Sequence, residues 1–113
     1  MWRDDARLMD MLISARRALE FVDGMTETDF LASTLHQHAV VRAIEILGEA
    51  ARGVSEDRRD ELTQIPWEDL IGMRSKLIHE YFRVKLDVVW GVIRNDLPPL
   101  IEQLEAIVPP ETP

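Results

Sequence analysis

An all-α fold follows from three features of this 113-residue sequence. Apolar side chains recur at steps of three and four along several long segments, the spacing that gathers them on one face of a helix. No segment alternates with period two, and turn-rich hairpin signals are absent. The connections between the periodic segments are short, so neighbouring helices should run antiparallel. The expected architecture is an antiparallel four- to five-helix bundle.

The first helix is predicted from about Asp4 to Asp23. Leu8, Leu12, Ala15, Leu19 and Val22 mark its apolar face, widened by Met11, Ala18 and Phe21. Gly24 is placed to end it. Thr26 and Asp29 have the spacing of a capping box, which puts Phe30 and Leu31 on a short helical turn. A second long helix is predicted from about Thr34 to Arg52, with Val40, Ala43, Ile44, Leu47, Ala50 and Ala51 facing inward. Gly48 within it costs about 1 kcal/mol relative to Ala, which points to close packing against another helix. Gly53 closes it. Its opposite row, His38, Arg42, Glu45, Glu49 and Arg52, reads as a solvated or subunit-facing charge ladder. His36 and His38, two positions apart, point in opposite directions on a helix and are read as surface histidines. Ser55 can cap a short polar helix through about Leu62, and Pro66 suits the first turn of the next. After Phe82 comes a brief connection from Arg83 to Leu86. Val88, Val89, Val92, Ile93 and Leu97 then resume the helical period, and Pro98 and Pro99 must kink or restart that helix. Leu100, Ile101, Leu104, Ile107 and Val108 complete it.

This length makes one domain, over 1–108, with a loose proline-rich tail at 109–113. There is no cysteine, hence neither a disulfide nor a thiolate metal site, which fits a reducing cytoplasm. No signal pattern opens the chain, and no apolar run is long enough to span a bilayer. The net charge of −8 argues against a general nucleic-acid binder, since phosphate contacts need clustered Lys and Arg. Trp90 and the methionines read as exposed apolar residues on amphipathic helices, so a homodimer is expected.

The chemistry concentrates between Gly72 and Phe82, in G-M-R-S-K-L-I-H-E-Y-F. Gly72 to Lys85 carries Arg74, Lys76, Arg83 and Lys85 against Glu80, a balance of +3, so the remainder sums to −11. Basic charge beside a titratable imidazole can handle phosphate. Trp67, Leu70, Ile71, Leu77, Ile78 and Phe82 form an inward stripe, and Arg74 stands on it where an apolar residue is expected. A guanidinium there must pair, snorkel out or face a cleft. Gly72, Lys76, His79 and Arg83 form a second, polar row. On one helix Arg74 and His79 diverge by about 140°, so they flank a groove without touching. If both act on one ligand, either the helix ends near Tyr81 or a second subunit completes the site.

At these residues the sequence resembles the HepT-like family of the HEPN superfamily. R-S-K-L-I-H-E-Y resembles that family's motif of Arg, four residues, His, any residue, Tyr. I-L-G-E-A from Ile46, I-P-W from Ile65, G-M-R from Gly72 and D-L-P from Asp96 follow in the same order. The resemblance implies a HEPN-like helical bundle that dimerises with two motifs lining a shared cleft. It implies the toxin of a type VII toxin–antitoxin pair, an RNA endonuclease. It further implies that Tyr81 is the target of a cognate MNT-type nucleotidyltransferase antitoxin that attaches AMP.

Metal-independent cleavage of RNA moves a proton from the ribose 2′-hydroxyl and delivers one to the leaving 5′-oxygen. His79 suits the acid–base role, and Arg74 suits stabilisation of the charge that builds on phosphorus. Ser75 would support them, and Lys76 and Arg83 are candidate RNA-phosphate contacts. No cofactor is expected. Two departures from the family stand out. Ser75 follows the arginine where the family most often has Asn, and a hydroxyl cannot offer the fixed donor–acceptor fork of an amide. Lys85 stands near where relatives often carry an Asp that caps the next helix. A competing function is therefore a catalytically weak HEPN dimer that binds a nucleotide or a nucleotidyltransferase. Ser75 and the acidic surface favour that module; the intact set Arg74, His79 and Tyr81 favours the toxin.

Overall fold

The structure, a computed structural model, describes the backbone of residues 2–79 and 85–108 and the side chains of residues 3–73 and 85–108. Its elements are α1 (Trp2–Phe21), α2 (Glu27–Leu31), α3 (Thr34–Gly53), α4 (Glu56–Glu61), α5 (Trp67–His79), α6 (Leu86–Gly91), a π-helical turn (Val92–Asp96) and α7 (Leu97–Ile107). The described residues hold helices and connections, as the periodicity requires.

Local sequence sets most of the boundaries. Gly24, at φ 76°, supplies the left-handed residue after α1, a conformation that a Cβ disfavours. The capping box is complete: Asp29 N donates to Thr26 Oγ1 at 3.1 Å and Thr26 N donates to Asp29 Oδ2 at 3.0 Å. Gln37 Nε2 then donates to the carbonyls of Phe30 and Leu31, both at 3.0 Å, satisfying the end of α2. Gly53 is the last residue of α3 but keeps a negative φ. A Cβ there would lie 2.8 Å from Arg7 Nε, a contact that the flexible end of that side chain can relieve by moving.

The direction of α3 against α1 is fixed by a polar clasp. Asp4, buried near the start of α1, accepts from Ser55 N at 2.9 Å and from Ser55 Oγ at 2.7 Å, just beyond the end of α3. The two helices therefore run antiparallel. Ser55 Oγ in turn accepts from Arg58 N at 3.2 Å as the N-cap of α4. The backbone and side-chain bonds from Ser55 hold the Asp4 carboxyl below its ordinary pKa, against a smaller opposing effect of burial. A depressed folded-state pKa contributes stability above the unfolded value, about 3.9, and loses it as pH falls through the folded value. Asp4→Asn should therefore lower the melting temperature at pH 7. The gap to the parent should narrow steadily as thermal scans are run from pH 5 toward pH 2.

Helix α3 packs against both α1 and α5, while α1 also carries α7. The inner faces of these helices supply a continuous core that includes Leu8, Met11, Ala15, Leu47 and Leu104. The thinnest dimension is 19 Å, about two helix diameters of ~10 Å, so the bundle has two layers. Gly48 and the alanines Ala43, Ala50 and Ala51 are buried on α3, where small residues allow close approach. The row His38, Arg42, Glu49 and Arg52 is exposed, and Arg42 pairs with Glu45 at 3.2 Å.

Two expectations need correction. Trp90 is only 8 % exposed and lies against Phe30, which is fully buried, with ring centroids 5.4 Å apart. Met11 is fully buried and Met9, Met25 and Met73 pack partly against the core. The exposed large apolar residues are instead Phe21, Leu31, Leu35 and Val88. His36 is no simple surface histidine: half-buried, its Nδ1 hydrogen-bonds the Ser33 hydroxyl, whose oxygen also caps α3. The proline pair restarts the helix as expected: α7 begins at Leu97 with Pro98 and Pro99 in its first turn, after a π turn. Pro98 and Pro99 have no N–H to give to the carbonyls of Arg94 and Asn95, and the chain widens into a π turn in which Leu97 N donates to Val92 O.

Lys85 is the N-cap of α6, and its side chain makes no capping bond. A cation at that position also opposes the positive end of the helix. Lys85→Asp should supply the missing acceptor and raise stability by about 1 kcal/mol in a urea titration. An unchanged midpoint would show that residues N-terminal to α6 already satisfy its first amides.

Candidate active site

The basic motif occupies the second half of α5, and the start of that helix fixes its register. Trp67 Nε1 donates to Leu62 O at 3.0 Å within the core, which ties the first turn to the end of α4. Glu68 and Asp69 complement the positive end of the helix. Trp67 and Leu70 are buried, whereas a Cβ on the exposed Gly72 would meet nothing within 4 Å.

From that register the positions of the motif follow. Residue 74 lies two turns beyond Trp67, on the row that begins buried. Residues 76 and 79 follow Gly72 at steps of four and three, on the row that begins exposed. Arg74, Ser75, Lys76 and His79 are all residues of α5, and Arg74 and His79 stand about 140° apart around its axis. The helix continues to His79, so Arg74 and His79 remain on separate faces of one helix. Tyr81, Phe82 and Arg83 lie outside the described residues, as do the side chains of Arg74, Ser75, Lys76, Leu77, Ile78 and His79.

A surface groove of about 470 Å³ lies elsewhere, between α4 and the start of α5. Glu56, Asp60, Glu68 and Asp69 outnumber Arg59 along it, an arrangement that repels phosphate. Arg59 is moreover occupied, with Nε donating to Val54 O at 3.0 Å. The groove is therefore no continuation of the basic motif. Among the described residues no group of three or more His, Cys, Asp or Glu is arranged to hold a metal ion. No described helix is long and apolar enough to cross a membrane.

Comparison with known proteins decides the family. The profile of the family "Ribonuclease HepT-like" matches residues 11–107. This chain belongs to the HepT-like ribonuclease family. A Thermococcus cleftensis protein named "Probable ribonuclease HepT" is 36% identical over 102 residues, covering 87% of this chain and 93% of that one. A Methanocaldococcus jannaschii protein named "Putative RNase MJ1380" is 33% identical over 102 residues, 90% of this chain and 94% of the other. No solved structure gives a significant match. The HepT-like match spans every motif position from 74 to 83, and helix α5 with them.

One arrangement in this HepT-like chain was not read from the sequence. The Arg94 guanidinium lies 5.3 Å from the centroid of the Trp90 ring. The signal was the four-residue step from Trp90 to Arg94, the spacing of neighbours on a helix surface.

Proposed function

We propose that this chain is the toxin of a type VII toxin–antitoxin pair, a metal-independent endoribonuclease that works as a homodimer. The observation that carries this reading is membership of a ribonuclease family by a match that runs through the Arg74–Tyr81 motif. His79 removes the proton from a ribose 2′-hydroxyl. The 2′-oxygen attacks phosphorus, the bond to the 5′-oxygen breaks, and that oxygen takes a proton from a second imidazole. Arg74 faces the phosphoryl oxygens and stabilises the charge that grows on them. Ser75 holds the loaded geometry through one hydrogen bond, and Lys76 and Arg83 bind flanking phosphates.

Two imidazoles are needed for concerted acid–base work, and the motif of one chain supplies only His79. The 140° divergence of Arg74 and His79 on α5 supports a cleft shared by two copies, with the partner's His79 as the second imidazole. The cognate nucleotidyltransferase silences the toxin at Tyr81. The Tyr81 phenol oxygen attacks the α-phosphorus of ATP, pyrophosphate leaves, and the phenolic proton passes to solvent. The attached AMP brings negative charge and bulk beside Arg74, where it competes with RNA phosphate.

Incubation of the purified chain with single-stranded RNA in excess chelator tests the proposal. Fragments should accumulate at the same rate as without chelator. A second reading, a nucleotide- or nucleotidyltransferase-binding module, is favoured by Ser75 in place of an amide. It becomes the better account if RNA stays intact under both conditions while the partner binds.

A further inference from the structure

We infer that Arg94, stacked on Trp90, is an RNA-phosphate contact outside the catalytic motif. The inference rests on the ribonuclease reading and extends it to a subsite for the strand flanking the cleaved bond. Phe30 is fully buried and lies against Trp90, and Trp90 carries the Arg94 guanidinium at 5.3 Å. Both rings belong to the core, so the guanidinium lies over a fixed ring.

A guanidinium held over a ring by cation–π attraction does not need its N–H donors for conventional hydrogen bonds there. Its five N–H donors lie around the edge, in the planar fork that matches phosphate. Arg94 is exposed, and among the described residues it makes no hydrogen bond or ion pair. Among the described residues neither Asp87 nor Asp96, the carboxylates nearest in sequence, pairs with it, whereas Arg16, Arg42 and Arg58 pair with Glu105, Glu45 and Glu61. In a chain with 21 acidic residues and a net charge of −8, such an arginine is a site prepared for an anion from outside. Because the side chain is already ordered, binding costs less rotamer entropy than it would for an unrestrained surface arginine.

Reach favours RNA over a small free anion. Helix α6 starts seven residues after His79, at most about 25 Å from the end of α5 even for a fully extended connection, and Arg94 lies eight residues further, about 12 Å along the helix. A single strand crossing the cleft can therefore continue to Arg94. The π turn at Val92–Asp96 contains Arg94, so the widened backbone imposed by Pro98 and Pro99 also sets the position of the stack.

The test is binding of a fluorescently labelled single-stranded oligoribonucleotide to the full-length His79→Ala protein, across a range of salt. Arg94→Gln in that background should weaken binding several-fold and reduce the slope of log Kobs against log salt by about 0.7, the value for one phosphate contact on a single strand. Arg94→Lys should keep the slope but recover only part of the affinity, because a lysine lacks the planar stack. In the catalytically intact protein, Arg94→Gln should raise KM and leave kcat unchanged. An unchanged salt slope in Arg94→Gln, with cleavage by the parent intact, overturns the assignment alone. So does an equal loss of slope in Arg17→Gln, an exposed arginine of α1, since that would report net charge and no specific contact. A parent that neither binds nor cuts RNA overturns the proposed function, and this subsite with it.

Discussion

His79→Ala is expected to abolish RNA cleavage and cellular toxicity while the helical circular dichroism spectrum stays that of the parent. Without the imidazole, the motif loses its one side chain whose ordinary pKa lies near neutrality and that can serve as both base and acid there. Arg74→Ala removes the guanidinium instead and should cost a factor of about 10²–10³ in rate, ~2.7–4 kcal/mol of transition-state stabilisation. The two losses should differ in their pH dependence. Arg74→Ala keeps the acid–base profile of the parent at lower amplitude, whereas the residual activity of His79→Ala should lose it. Gel-based cleavage rates and melting curves on the same preparations check both. If both variants cut RNA at the parent's rate, the binding-module reading replaces the enzyme.

The second large effect concerns control. Treatment with the cognate nucleotidyltransferase and ATP should add mass in AMP-sized steps at Tyr81 and reduce RNA cleavage in proportion to the modified fraction. Tyr81→Phe keeps the ring and loses the one oxygen that can be nucleotidylated. It should remain folded, gain no mass and stay toxic when the enzyme is co-expressed. Intact-mass spectrometry of parent and variant after identical treatment gives the comparison. Equal added mass on both proteins would place the modification at another residue and end this account of the switch.

What the sequence made legible divides along the range of the interactions involved. The Thr26–Asp29 capping box, the Gly24 turn, the Ser55 cap and the lack of a cap at Lys85 are all decided within a few residues, and all read correctly. The basic motif was legible for the same reason: its spacing on α5 is local geometry. Trp90 was misread because its environment is Phe30, far away in sequence, and nothing near Trp90 announces that partner. The Asp4–Ser55 clasp joins residues 51 positions apart and is invisible to periodicity. The π turn lies between these cases. Two prolines signal an interruption, but whether a helix kinks or widens depends on how α6 and α7 are held by their neighbours. The site shows the same division: helix register puts Arg74 and His79 on different faces of α5, whereas whatever stands opposite those faces is not decided locally.

The chemistry of the cut ends tests the central claim most directly. Attack by the ribose 2′-oxygen, with His79 as base and Arg74 on the phosphoryl group, must leave a 5′-hydroxyl on one fragment and a 2′,3′-cyclic phosphate on the other. A synthetic oligoribonucleotide is incubated with the chain in excess chelator, and the fragments are analysed by mass spectrometry. An otherwise identical strand carrying a 2′-methoxy group at the cleaved position serves as control. The account predicts 5′-hydroxyl and cyclic-phosphate ends from the first strand and no cleavage at the blocked position of the second. Fragments ending in a 5′-phosphate and a 3′-hydroxyl, or cleavage that survives the 2′-methoxy group, would contradict it.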